Sequence, residues 1–203
     1  MKDIRARARE GLVPLLVLLL TGCESGGARH DSGPAASGPP SPLFGGLPAD
    51  HLIHAGETHF EHLWMLTTDG ENAEAYWNPD GTRLSFQRRA EDAGIPCDRI
   101  FVTVPDGPSV QVSNGRGVTT CAYFMPDGKS VLYASTHGLM DACPPPLDPA
   151  EFKRLGYFWR VFPEYDIWIQ DLAGGEPRRL TDTLGYDAEA TVSPRGDRIV
   201  FTS

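Results

Sequence analysis

Residues 72–86 read NAEAYWNPDGTRLSF, residues 119–133 read TTCAYFMPDGKSVLY, and residues 187–201 read DAEATVSPRGDRIVF. Aligned on Pro79, Pro126 and Pro194, each is an alternating apolar run, a tight turn and a second alternating run. Alternation with a period of two places one set of side chains on a buried face, the mark of a half-buried strand. In Asn78-Pro79-Asp80-Gly81 the proline presets φ at the second turn position. Gly81 supplies the permissive residue where the chain re-enters a strand. Met125-Pro126-Asp127-Gly128 repeats this pattern, and Ser193-Pro194-Arg195-Gly196 departs from it only at Arg195. All three segments are expected to be β-hairpins.

Two further strands are expected after each of the first two hairpins. Residues 99–104 (RIFVTV) and 110–113 follow the first, and residues 165–172 (YDIWIQDL) and 178–181 (RRLT) follow the second. Residues 63–67 (LWMLT) are shaped like the last of these. Four strands per unit, with 47 residues from Pro79 to Pro126, is the spacing of a β-propeller blade. Pro126 to Pro194 is 68, so the second unit carries about 21 extra residues, between His137 and Glu164. The expected fold is therefore all-β, a β-propeller of four-stranded antiparallel blades. Residues 60–203 account for roughly two and a half to three blades, whereas propellers close with four to eight. The reading is an incomplete run of a six-bladed protein, or one that assembles with another chain.

The 203 residues carry 27 acidic and 18 basic side chains and a formal charge of −9. That balance argues against a nucleic-acid partner, since phosphate binding needs clustered Lys and Arg. No apolar run reaches the roughly 18–20 residues of a spanning helix. Residues 1–10 hold Lys2, Arg5, Arg7 and Arg9, and residues 11–20 (GLVPLLVLLL) form a short apolar core, together the pattern of a secretion signal. Leu20-Thr21-Gly22-Cys23 follows at once and resembles the bacterial lipobox. That resemblance implies a diacylglycerol on Cys23 and cleavage before it, so that residues 1–22 are a signal peptide and the membrane is reached through lipid. Glu24, where inner-membrane lipoproteins of enteric bacteria usually carry Asp, favours the outer membrane, facing the periplasm. Residues 23–50, rich in Ser, Gly, Pro and Ala, read as the lipidated cysteine and a flexible tether. The partial propeller is then residues 51–203.

The Pro-Asp-Gly hairpin, followed by a D-I-x-x-x-D-L strand and an R-L-T strand, resembles the WD-like repeat of TolB, the periplasmic propeller protein of the Tol–Pal system. Residues 70–76 (GENAEAY), 133–137 (YASTH), 142–145 (ACPP) and 185–203 (GYDAEATVSPRGDRIVFTS) are still more similar to TolB-like lipoproteins of the bacterial envelope. The likeness covers residues 56–203. TolB has a further N-terminal α/β domain, which residues 24–55 are too short and too poor in apolar side chains to supply. The resemblance implies a non-enzymatic envelope protein whose propeller face binds another protein or a cell-wall component. The alternatives are an enzyme or small-ligand protein with its site at the channel mouth, or a fragment of a propeller-containing serine peptidase. The nearest approach to a nucleophile elbow, Gly128-Lys129-Ser130-Val131-Leu132, lacks the second glycine and falls in a hairpin.

Three groups of residues are candidate sites. Cys97, Cys121 and Cys143 all map to one end of the blades, so an oxidising compartment would pair two of them. Cys121–Cys143 is the first expectation and Cys97–Cys121 the second, with one thiol left over. His51, His54, His59 and His62 could present imidazoles to a metal ion. Counting back five residues from each turn proline lands on Glu74, Cys121 and Glu189. First strands lie nearest a propeller axis, so these three are expected to converge at the channel mouth. A divalent cation or a basic ligand would relieve the repulsion between the carboxylates; no other cofactor is expected. Trp77, Phe124, Trp159 and Trp168 are read as packing between blades.

Overall fold

The computed structural model describes residues 45–203 apart from Asp106 and Tyr157. Residues 1–44, which hold the stretch read as a signal peptide, Cys23 and most of the stretch read as a tether, lie outside the described residues. Pairing begins inside the stretch read as tether. Strand β1 (Leu47–Pro48) is antiparallel to β2 (Trp64–Met65). Between them Ala49 is buried, and its N–H donates to the Leu63 carbonyl at 2.8 Å. The expected strand at residues 63–67 therefore joins β1 rather than a blade.

The three hairpins form as expected, and two of them extend into four-stranded sheets. The first sheet is β3 (Glu71–Trp77), β4 (Leu84–Ala90), β5 (Ile95–Val102) and β6 (Val110–Gln111). The second is β7 (Thr119–Phe124), β8 (Ser130–Ser135), β9 (Asp166–Asp171) and β10 (Arg178–Arg179). Both are antiparallel meanders with strands in sequence order. A third hairpin pairs β11 (Ala188–Val192) with β12 (Ile199–Thr202). In every turn the glycine N–H donates back to the residue before the proline: Gly81 to Asn78, Gly128 to Met125 and Gly196 to Ser193, at 2.8–3.0 Å. These glycines have φ of 71°, 66° and 72°, a region that costs other residues strain.

The sheets stack through their first strands. Ala122 and Phe124 of β7 pack with Ile100 and Val102 of β5 in one apolar cluster, which also holds Val131, Tyr133 and Trp168. Ala188, Ala190 and Val192 of β11 pack with Leu132, Ala134 and Ile167 in a second. The alternation therefore reads correctly at Phe124 and Trp168, which are buried. Trp77 and Trp159 differ: they are 55% and 49% exposed. Trp77 is the last residue of β3, and Trp159 belongs to the insertion. Asp166, nearly inaccessible to solvent, is paired with Arg179 at 2.5 Å.

Buried His137 ends the second hairpin, its ring 3.8 Å from that of Trp168 and its Nδ1 2.8 Å from Ser135 Oγ. Burial, helped by the charges of Arg116 and Arg179, pulls its pKa down to about 4. Two outcomes follow from this packing. Leu132→Ala, in the core between sheets, should cost about 2–5 kcal/mol in urea unfolding, whereas Val200→Ala on an exposed strand should stay within about 0.5 kcal/mol. The unfolded chain also takes up the His137 proton near the ordinary histidine pKa, which the native state refuses until about pH 4. Stability should therefore climb as pH rises across that window, and His137→Gln should flatten the climb in unfolding curves measured at stepped pH.

Candidate functional site

Glu74, Cys121 and Glu189 are the only non-glycine residues with positive φ among the described residues, at 54°, 52° and 57°. Each sits where the pairing register of its first strand shifts, between Ala73 and Tyr76, Thr120 and Tyr123, and Ala188 and Thr191. These are β-bulges, and a left-handed residue in a bulge re-aims its side chain. Simple alternation placed the three side chains at one height. The bulge is what turns them together.

Together they line one cavity of about 260 Å³ with Tyr76, Tyr123 and Thr191. Those last three were missed by sequence reasoning, although the signal was there. Each lies three residues before its turn proline, two positions further along the same strand. The Tyr76 hydroxyl donates to Glu74 Oε2 at 2.5 Å, and the Thr202 hydroxyl donates to Glu189 Oε2 at 2.9 Å. The Tyr76 and Tyr123 rings are tilted against each other at 5.8 Å. Behind them Thr120 Oγ1 donates to Gln87 Oε1 at 2.8 Å and lies 3.1 Å from Cys121 Sγ.

The electrostatics are those of an acidic pocket. The hydrogen bond to Glu74, then burial and the charges of Glu74, Cys121 and Glu189, push the Tyr76 phenol up to about 12. Burial raises the Cys121 thiol, with Glu74 and Glu189 adding to the effect. A thiol held protonated is a poor nucleophile and a poor metal ligand. Among the described residues no three His, Cys, Asp or Glu side chains come together so as to hold a metal ion. The histidine expectation is corrected on this point: His62 pairs with Asp50 at 3.0 Å and packs edge-on to Trp64, and His51, His54 and His59 do not converge on it. A short segment folded back on Asp50 spreads these rings instead of focusing them.

The disulfide also differs from expectation. Cys97 bonds to Cys143, with Cα atoms 5.9 Å apart, and Cys121 is the free thiol. Cys97 opens β5 inside the cluster between the sheets, and Cys143 of the insertion packs against that cluster. Cys121 is turned by its bulge into the cavity and is out of reach of that pairing. The bond ties the insertion across to the first sheet. Within the insertion, α1 (Pro149–Leu155) is capped by Asp148, whose side chain accepts from Ala150 N at 2.8 Å, and buries none of its residues. Leu139, Phe152, Leu155, Trp159 and Val161 are all exposed. Burial raises the Tyr186 phenol, Trp159 opposes this, and the charges of Glu189 and Cys121 add to it.

No protein-family model matches the chain, and no curated protein matches it. Among solved structures it is similar to the putative TolB from Agrobacterium tumefaciens, with 20% identity and a TM-score of 0.46 over 64% of this chain and 39% of that one. It is similar also to TolB from Acinetobacter baumannii, with 20% identity and a TM-score of 0.49 over 71% of this chain and 30% of that one. The chain thus spans well under half the length of either.

The disulfide closes a separation of 46 residues, for which chain entropy alone assigns about 4 kcal/mol. Cys143→Ser is expected to destabilise by about 2–5 kcal/mol, and Cys121→Ser to leave the bond intact. Of Cys97, Cys121 and Cys143, alkylation of denatured, unreduced protein followed by peptide mass mapping should label Cys121 alone. Label on Cys97 or Cys143 would refute the pairing.

Proposed function

We propose that this chain is a non-enzymatic lipoprotein of the bacterial envelope, anchored through Cys23 in the outer membrane, whose TolB-like propeller binds another protein. The described sheets are taken as successive blades of that propeller, six in the whole protein. One observation carries the reading. The insertion holds five large apolar side chains in water and is bonded covalently to the first sheet through Cys97–Cys143. Exposed apolar side chains on a tethered segment lose little entropy on docking, and Trp and Phe are frequent anchors of protein interfaces. The lipobox at residues 20–23 and a disulfide suited to an oxidising compartment support the envelope location. The protonated Cys121 thiol, in a cavity lined by no histidine, supports binding rather than acyl transfer.

The test uses lipidated protein as bait on detergent-solubilised envelopes, beside a variant with Phe152→Ala and Trp159→Ala. One defined protein should be retained by the parent and reduced at least tenfold by the variant. Equal retention of isolated peptidoglycan by both, with no protein, would replace this reading with a cell-wall one. Retention of neither would overturn it.

A further inference from the structure

We infer that the cavity lined by Glu74, Tyr76, Cys121, Tyr123, Glu189 and Thr191 binds an organic cation, an alkylammonium or guanidinium group such as a lysine or arginine side chain carries. This deepens the reading above, and rests on it only in taking the protein partner as the source of that group.

Several independent features converge on this chemistry. The cavity's volume of about 260 Å³ admits a side-chain end and its first methylenes. Its lining contains two carboxylates and no Lys or Arg, and among the described residues neither Glu74 nor Glu189 belongs to an ion pair. Each carboxylate is oriented by a hydroxyl donating to Oε2, from Tyr76 and Thr202, which leaves Oε1 to accept from a ligand N–H. A charge-assisted bond of that kind is about twice as strong as a neutral one. The walls are aromatic. The paired rings of Tyr76 and Tyr123 offer π-faces that attract a cation, and aromatic side chains combined with carboxylates form the usual cage for ammonium groups. The lining does not suit a metal ion, because three ligating groups do not meet there. The groups that face the cavity come from three strands, β3, β7 and β11, so the site exists only when three successive first strands are side by side. Being held at positive φ in three bulges, the converging side chains are preorganised and need no rearrangement to receive the group.

The experiment titrates the purified protein with n-butylammonium and n-butylguanidinium chlorides, with n-butanol as the neutral control and calcium and zinc chlorides as the metal arm. The organic cations should bind saturably and n-butanol should not. The Glu74→Gln, Glu189→Gln double variant should bind them at least tenfold more weakly, and Tyr123→Ala several-fold more weakly. A readout on the parent protein alone guards against a variant that fails to fold. Offsetting the Glu74 charge with bound n-butylguanidinium, which stays cationic at high pH where n-butylammonium does not, should lower the pH at which Tyr76 ionises, seen as a shift in phenolate absorbance. Unchanged affinity in a folded double variant, equal binding of n-butanol, no shift in the phenolate curve, or tighter binding of calcium or zinc than of either organic cation would each overturn the inference. The outcome is separable from the protein-binding test: cation binding without an envelope partner removes only the partner, and the reverse removes only the cavity's role.

Discussion

The stacking of one sheet's first strand on the body of the sheet before it is the interaction on which the rest of the structure depends. Small residues take part in it beside Phe124 and Val192. Ala122 lies against the first sheet and Ala188 and Ala190 against the second, all of them buried. Alanine lets backbone approach backbone, and the approach is cross-linked by polar groups: Ser85 Oγ donates to the Ala122 carbonyl at 3.2 Å, and Gln87 receives Thr120 Oγ1 and the Cys121 N–H. Interiors packed at crystal-like density tolerate little change of volume. The spacing between first strands is thereby set, and with it the width of the cavity they enclose.

Three bulges sit in those strands, each holding a non-glycine residue in the left-handed region, and each such conformation costs of the order of 1 kcal/mol or more. Repetition of the same strain at the same position in three repeats is not required for folding, because an ordinary alternating strand would pair as well. What the bulge does is direct Glu74, Cys121 and Glu189 into a common space. The strain is stored where the side chains meet, as in other preorganised sites.

Much of this fold was legible in the residues. The turn prolines and glycines announced three hairpins, and the period of 47 residues announced four-stranded units. The convergence of Glu74, Cys121 and Glu189 was also legible, because equivalent positions in a repeat occupy equivalent places. The phenols of Tyr76 and Tyr123 went unread because a count anchored on the carboxylates stopped there. The cysteine pairing was misread for a related reason. Placing three cysteines at one end of the blades says which could meet, but not which side chain a bulge turns away.

By itself the sequence determined what is local and periodic: hairpin positions, strand alternation, the acidic character, and a stretch at residues 20–23 that resembles a lipobox. These depend on φ preferences, side-chain alternation and short spacings, all of which act within a few residues. Only the tertiary structure decided the bond between Cys97 and Cys143, the scattering of the four histidines, and the aromatic walls of the cavity. Each of these depends on the distance between elements far apart in the chain, and that distance is set by how closely alanine-lined sheets can stack.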